Sequence, residues 1–311
     1  MRTTHFLVSG LFSAILGVSV VAPASGQANV QLDSARLLRD LSVLAHDSMA
    51  GRATGTPGSQ RAQAFLVASL EEAGLSPAYE RWLRPFASPR DVGTNVVAMA
   101  PGRGASADQV IVITAHYDHE GIRDGEIFNG ADDNASGVAA LLEIGRRLAA
   151  APLEHAAVLA FVDAEETGFQ GARAFVADPP VPLDRIALEV NLDMVARTSG
   201  LLWAVGAYHN PALRPVLEKL ASQAPLTLRL GHDRRGAPEG ADWTNSSDHA
   251  PFHRVGIPFV YFGVEEHADY HRATDDVERI DPGEFTAAVR TILMGIRALD
   301  AALPFPETSA R

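Results

Sequence analysis

Apolar and polar positions alternate along this chain in blocks that read as alternating helices and strands. Gln31 to His46 carries Leu37, Leu38, Leu41 and Leu44 on a helical period, with Asp33 placed to cap. Gly51 to Ser59 is rich in Gly, Thr and Pro and reads as a loop, and Gln60 to Ala73 reads as a second helix stopped by Gly74. Asn95 to Ala100 and Val110 to Ala115 then read as strands, Ala135 to Ala150 as a helix, and Ala156 to Val162 and Ile186 to Leu192 as strands. Pro211 to Gln223 is helical, Pro258 to Phe262 a strand and Pro282 to Ala302 a long closing helix. The runs from Val110 and from Ala156 are apolar on both faces, the pattern of central strands covered from both sides. The predicted architecture is α/β: a three-layer α/β/α sandwich around a mixed, mostly parallel sheet. No internal repeat, long linker or low-complexity tract interrupts it, so one domain is expected over 25–303.

The ends differ from this body. Arg2, the apolar run Phe6 to Ala22 and the small-x-small motif Ala22-Pro23-Ala24 read as a signal peptide over 1–24. The run is short for the ~20 residues of a membrane span, so the mature chain is expected to be periplasmic or extracellular, without a membrane anchor. Residues 304–311 read as a frayed tail.

Composition narrows the chemistry. The 311 residues carry a formal net charge of −12, which disfavours nucleic acid and anionic lipid as partners. Lys219 is the only lysine, which leaves little room for Schiff-base chemistry. There is no cysteine, so disulfides, thiolate metal sites and thiol nucleophiles are excluded together. Any metal must be held by His, Asp and Glu.

Those residue types collect where chemistry is expected in an α/β sheet, just beyond the carboxyl ends of strands. The strand at Val110 runs into His116-Tyr117-Asp118-His119, and a Gly-rich loop with Asp132-Asp133 opens the next helix. The strand at Ala156 ends in Asp163-Ala164-Glu165-Glu166-Thr167-Gly168, that at Ile186 in Asn191-Leu192-Asp193-Met194, and the last one leads to Asp269-Tyr270-His271-Arg272-Ala273-Thr274-Asp275-Asp276. Singly, each has a bland reading: a surface turn, a solvated pair, a helix cap. Together they crowd like charges at a cost that a pair of divalent cations would offset, with oxygen and imidazole ligands suiting zinc, cobalt or manganese.

The motifs as a set resemble the M28 family of zinc metallopeptidases, the co-catalytic di-zinc aminopeptidases. The resemblance spans nearly the whole mature chain. It rests on Ala50-Gly51-Arg52 with Gly55-Thr56-Pro57-Gly58, on Gly130-Ala131-Asp132-Asp133-Asn134-Ala135-Ser136-Gly137, on Asn191-Leu192-Asp193-Met194, on Ser247-Asp248-His249-Ala250-Pro251-Phe252 and on Tyr270-His271. It implies a zinc-dependent exopeptidase fold with two divalent metal ions, Zn2+, and peptide substrates handled by a monomer. It further implies that Asp132 bridges the metals with a cis peptide to Asp133, that His116 and Asp193 complete one site, and that Glu166 and His271 complete the other. Glu165 would be the general base, and Asp118 would orient His116.

Several alternatives stand beside this reading. His119 rivals His116, but only His116 lies at the strand end and matches the motif. Ser247-Asp248-His249 suggests a serine triad, yet triad members meet in space rather than in sequence and no Gly-x-Ser-x-Gly elbow is present; the segment reads as support and pocket wall. Trp203, Trp243, Phe252 and Tyr261 read first as core aromatics and second as lining of a side-chain pocket. Some relatives carry a tyrosine three residues before Ser-Asp-His; here it is Thr244, so the partner of the oxyanion is unassigned. Arg197, Arg234 and Arg235 could serve a carboxypeptidase, and a dipeptidase or the glutaminyl-cyclase branch of the family, which uses one zinc, are further alternatives. A receptor-like domain without catalysis is the reading from a different class.

Overall fold

The computed structural model describes residues 1, 31–87, 92–104, 109–234 and 240–305. Beyond Met1, the expected signal peptide lies outside them, as do residues 306–311. Phe305, expected in the frayed tail, is partly buried and packs against the core.

Along the chain the elements are α1 (Ser34–Leu44), α2 (Pro57–Glu72), β1 (Ser76–Pro77), β2 (Leu83–Ala87), β3 (Val92–Ala100), β4 (Val110–His116), β5 (Gly121–Arg123), β6 (Glu126–Phe128) and α3 (Gly137–Ala150). Then come β7 (Ala156–Val162), α4 (Gln170–Ala177), β8 (Ile186–Leu192), β9 (Leu201–Val205), α5 (Arg214–Ala221), β10 (Thr227–Leu230), α6 (His249–Arg254), β11 (Phe259–Gly263) and α7 (Pro282–Asp300). The order across the main sheet is β1-β3-β7-β4-β8-β11-β9-β10, with β2 on β3. The central four, β7-β4-β8-β11, are mutually parallel, while β3 and β9 flank them antiparallel. The expected mixed α/β sheet between helical layers is what forms.

The layers follow from alternation along the strands. Ile111 and Ile113 of β4 join one buried cluster with Leu37 of α1, Leu66 of α2, Leu141 of α3 and Ile292 of α7. Val110 and Val112 point the other way, into a cluster with Phe175 of α4 and Phe252 of α6. Because the central strands run parallel, their carboxyl ends share one edge, and the polar segments after β4, β7, β8 and β11 converge there.

Helix starts follow local chemistry. Asp33 accepts from Arg36 N at 3.0 Å and caps α1 as its position suggested. The loop expected over Gly51 to Ser59 ends earlier: Thr56 caps through Ser59 N, and Pro57 takes the first turn of α2, where its missing N–H costs nothing.

Arg52 ties this entry segment to the converging edge. It is fully buried and donates to the carbonyls of Leu44 (2.7 Å), Tyr117 (2.8 Å), Asn129 (2.6 Å) and Gly130 (3.1 Å). Burial lowers its pKa to about 10. Removing it strands buried carbonyls, each costing ~1–3 kcal/mol. Arg52→Met is therefore expected to destabilise the fold by about 3–5 kcal/mol, read by denaturant unfolding; a loss below about 1 kcal/mol would show that water replaces these bonds.

Candidate metal centre

The first strand end supplies an imidazole with two defined edges. His116 is buried, its Nε2 lying 3.2 Å from Asp193 Oδ1 and 3.4 Å from Asp133 Oδ1. Its Nδ1 faces Asp118, 3.2 Å from the backbone oxygen and 3.7 Å from Oδ1. Beyond β7 the chain turns sharply at Ala164, with φ of 59°. Asp163 holds that turn: its carboxylate accepts from Thr54, Thr94 N, Tyr117 and Ala164 N. The Asp118 carboxylate accepts from Glu165 N (3.1 Å) and Glu166 N (3.3 Å). So Asp118 braces the paired glutamates as well as facing His116.

That turn sends the two glutamates to different partners. Glu165 sits with His116 and Asp193, ligand atoms within 4.8 Å of one another. Glu166 sits with His119 and Asp133, and separately with Glu120 and His271. Asp193 is fixed from behind by Ser247, whose hydroxyl donates to Oδ2 at 2.6 Å. His271 places Nε2 3.1 Å from Asp133 Oδ2 and 3.4 Å from Glu166 Oε2, with its ring stacked on Tyr270.

One assignment is corrected. Asp132 does not reach the cluster of His116 and His271. Its Oδ1 accepts from Ala196 N and Arg197 N, and Oδ2 lies 3.3 Å from His267 Nε2. Asp133 is the carboxylate between the two histidines, with Oδ1 toward His116 and Oδ2 toward His271. The cis peptide also falls one residue later, at Asp133-Asn134. Asp275 sets this register by accepting from both Asp132 N and Asp133 N at 3.0 Å. The carboxylates of two adjacent aspartates leave in different directions, and the one facing inward depends on that distant contact.

The electrostatics suit a cation. Burial raises Glu165, aided by Asp248 and Asp193, and raises Glu166, aided by Asp133. Burial alone would lower His116, but Asp193 and Glu165 hold it well above the usual histidine range. Burial opposes ionisation of Asp133, yet its contacts with His116 and His271 bring it well below the carboxylate range. Beside this cluster, both oxygens of Asp248 are buried without a hydrogen-bond partner among the described residues. Crowded carboxylates that draw protons onto their histidines are a donor set suited to a divalent metal, and with oxygen and nitrogen donors alone zinc fits.

The Ser-Asp-His segment is not a triad. Ser247 Oγ is bonded to Asp193 and Asn191. His249 Nε2 is bonded to Trp243 O, its ring stacks on Phe259 and Tyr261, and burial pushes its pKa down to about 3. Of the four aromatics singled out, Phe252 is core, while Trp203, Trp243 and Tyr261 form a separate cluster with His232. Arg197 is bonded to Asp269 and His267, Arg234 is exposed, and Arg235 lies outside the described residues. Besides Asp133, the sequence reading missed the packing of His119 into the same cluster.

The model of peptidase family M28 matches residues 95–296. The chain belongs to this family of metallopeptidases. It is 28% identical over 215 residues to Aminopeptidase YwaD of Bacillus subtilis, covering 66% of this chain and 44% of that protein. It spans about half the length of the curated relatives it matches. A leucine aminopeptidase precursor from Bacteroides thetaiotaomicron has the same fold, with TM-score 0.71, 20% identity and coverage of 86% of this chain and 97% of that one. So has a glutaminyl cyclase from Porphyromonas gingivalis, with TM-score 0.70, 21% identity and coverage of 87% and 98%. Among the described residues, no helix of this M28 chain is long and apolar enough to cross a membrane.

Proposed function

We propose that this M28 chain is an exported aminopeptidase that uses two divalent metals, Zn2+ by choice of ligands, to hydrolyse N-terminal peptide bonds. The observation that carries the reading is Asp133, whose two oxygens face the His116–Asp193 group on one side and the His271–Glu166 group on the other. In this reading Asp133 is the shared ligand, His116 and Asp193 complete one site, and Glu166 and His271 complete the other. Metal bound there would polarise a carbonyl and lower the pKa of water toward 7. The protein's own part is proton handling. Glu165 lies beside His116 and Asp193 and is drawn toward the neutral form by burial, so it can take a proton from the attacking water and return it to the departing amine. Asp118 holds the backbone of both glutamates, which keeps base and ligand apart.

Two observations weigh against the alternatives. Arg197 is engaged by Asp269, which leaves it poorly placed to receive a substrate carboxylate, as a carboxypeptidase would need. Asp193 is held between His116 and Ser247, so the first site keeps its carboxylate, which favours two metals over the single zinc of a cyclase. Export is supported by Arg2, the apolar run Phe6 to Ala22 and the Ala22-Pro23-Ala24 motif. A monomer acting on peptides, with no nucleic-acid partner, is the matching assembly.

The test is hydrolysis of amino-acyl p-nitroanilides together with metal analysis. Purified protein is expected to hold two Zn2+ per chain, fall to background with chelator and recover on Zn2+ addition. One metal per chain with cyclisation of N-terminal glutamine would replace this reading with the cyclase.

A further inference from the structure

His119 is the histidine of the β4 strand-end segment that the proposed chemistry leaves without work, and its surroundings are specific. Its Nδ1 lies 2.7 Å from Glu166 Oε1 and 3.8 Å from Asp133 Oδ2. The ring meets His271 edge to face at 5.8 Å. It therefore touches each of the three residues proposed for the second metal. It is also built in. A side chain at Gly130 would place its Cβ 2.0 Å from the backbone oxygen of Asp133, 2.5 Å from His119 Cδ2 and 2.6 Å from Cγ, so the ring packs against a position that only glycine can fill. The side chain is fully buried, and Nε2 has no hydrogen-bond partner among the described residues. A buried imidazole with one strong contact directs all of its polar action to that contact.

We infer that His119 is a positioning residue for Glu166: its Nδ1–H donates to Oε1 and leaves Oε2 to face His271 and the second metal. The inference rests on the two-metal reading above. Glu166 Oε2 lies 3.4 Å from His271 Nε2, so the two carboxylate oxygens already face different partners. A carboxylate anchored on one oxygen presents the other in a fixed direction, which is what outer-shell partners do for metal ligands.

Chemistry distinguishes this role from direct ligation. The amide nitrogen of asparagine sits at the reach of Nδ1, whereas that of glutamine sits near the reach of Nε2. Zn2+ would be titrated calorimetrically into chelator-stripped wild type, H119A, H119N and H119Q, and the Co2+ forms compared by visible absorption. The expected result is that H119A and H119Q weaken the second equivalent by ~10–100-fold and spare the first. H119N should stay near wild type in affinity and in Co2+ spectrum. If H119A takes up both equivalents like wild type, the inference fails while the proposed function stands. If H119N is as weak as H119A, the ring is itself a ligand and the positioning role is wrong. A wild type that takes up fewer than two Zn2+ overturns the proposed function and this inference with it.

Discussion

Glu165→Gln is expected to keep its full metal content and to lose kcat by about 10²–10⁴-fold, the range for removing a positioned acid–base group. The substitution is isosteric, and the bond from Glu165 N to Asp118 is made by backbone, so the turn that presents Glu166 survives. What disappears is an oxygen able to accept a proton beside His116 and Asp193. The amide can still hydrogen-bond water but cannot carry its proton to a leaving amine. The measurement pairs metal per chain with turnover of an amino-acyl p-nitroanilide. Retained turnover would show that another group is the base, and lost metal would show that Glu165 is a ligand.

The second large effect separates two neighbours. Asp133→Asn should strip metal binding and lower activity by at least about 10³-fold, because several kcal/mol of charge stabilisation go with it. Its carboxylate is the one reaching both His116 and His271. Asp132→Asn keeps an oxygen that can accept from Ala196 N and Arg197 N, so activity should stay within about 10-fold of wild type. Calorimetric Zn2+ titration of both variants decides the matter. A reversed order would return the bridge to Asp132.

The contrast between these aspartates marks how far linear reading reaches. β7 and β8 occupy the predicted residues Ala156 to Val162 and Ile186 to Leu192, because central strands buried on both faces leave unbroken apolar runs. Edge elements are quieter. β2 is mostly exposed and lacks such a run, so nothing in the sequence marks Leu83 to Ala87 as a strand. α4 and α6, of eight and six residues, are too short for a helical period to stand out from their turns. The helix expected over Pro211 to Gln223 divides into a short 3-10 turn and α5, with Pro215 in the first turn of the latter.

For the site the same division holds. Residue type and position after an apolar strand nominate the segments that carry His116, Glu165, Glu166, Asp193 and His271, since parallel strands must end on one edge, and the family resemblance picks these residues within them. Composition alone excludes thiolate and leaves oxygen and imidazole donors. Orientation is another matter. Whether Asp132 or Asp133 faces the histidines is set by Asp275, some 140 residues away, through two backbone N–H bonds. Whether His119 is surface or core depends on Gly130 leaving room for its ring. Periodicity and local chemistry act over a few residues and are written in the chain itself. The direction of a carboxylate or an imidazole is fixed by contacts between segments far apart in sequence, and those exist only once the strands have paired and their ends have met.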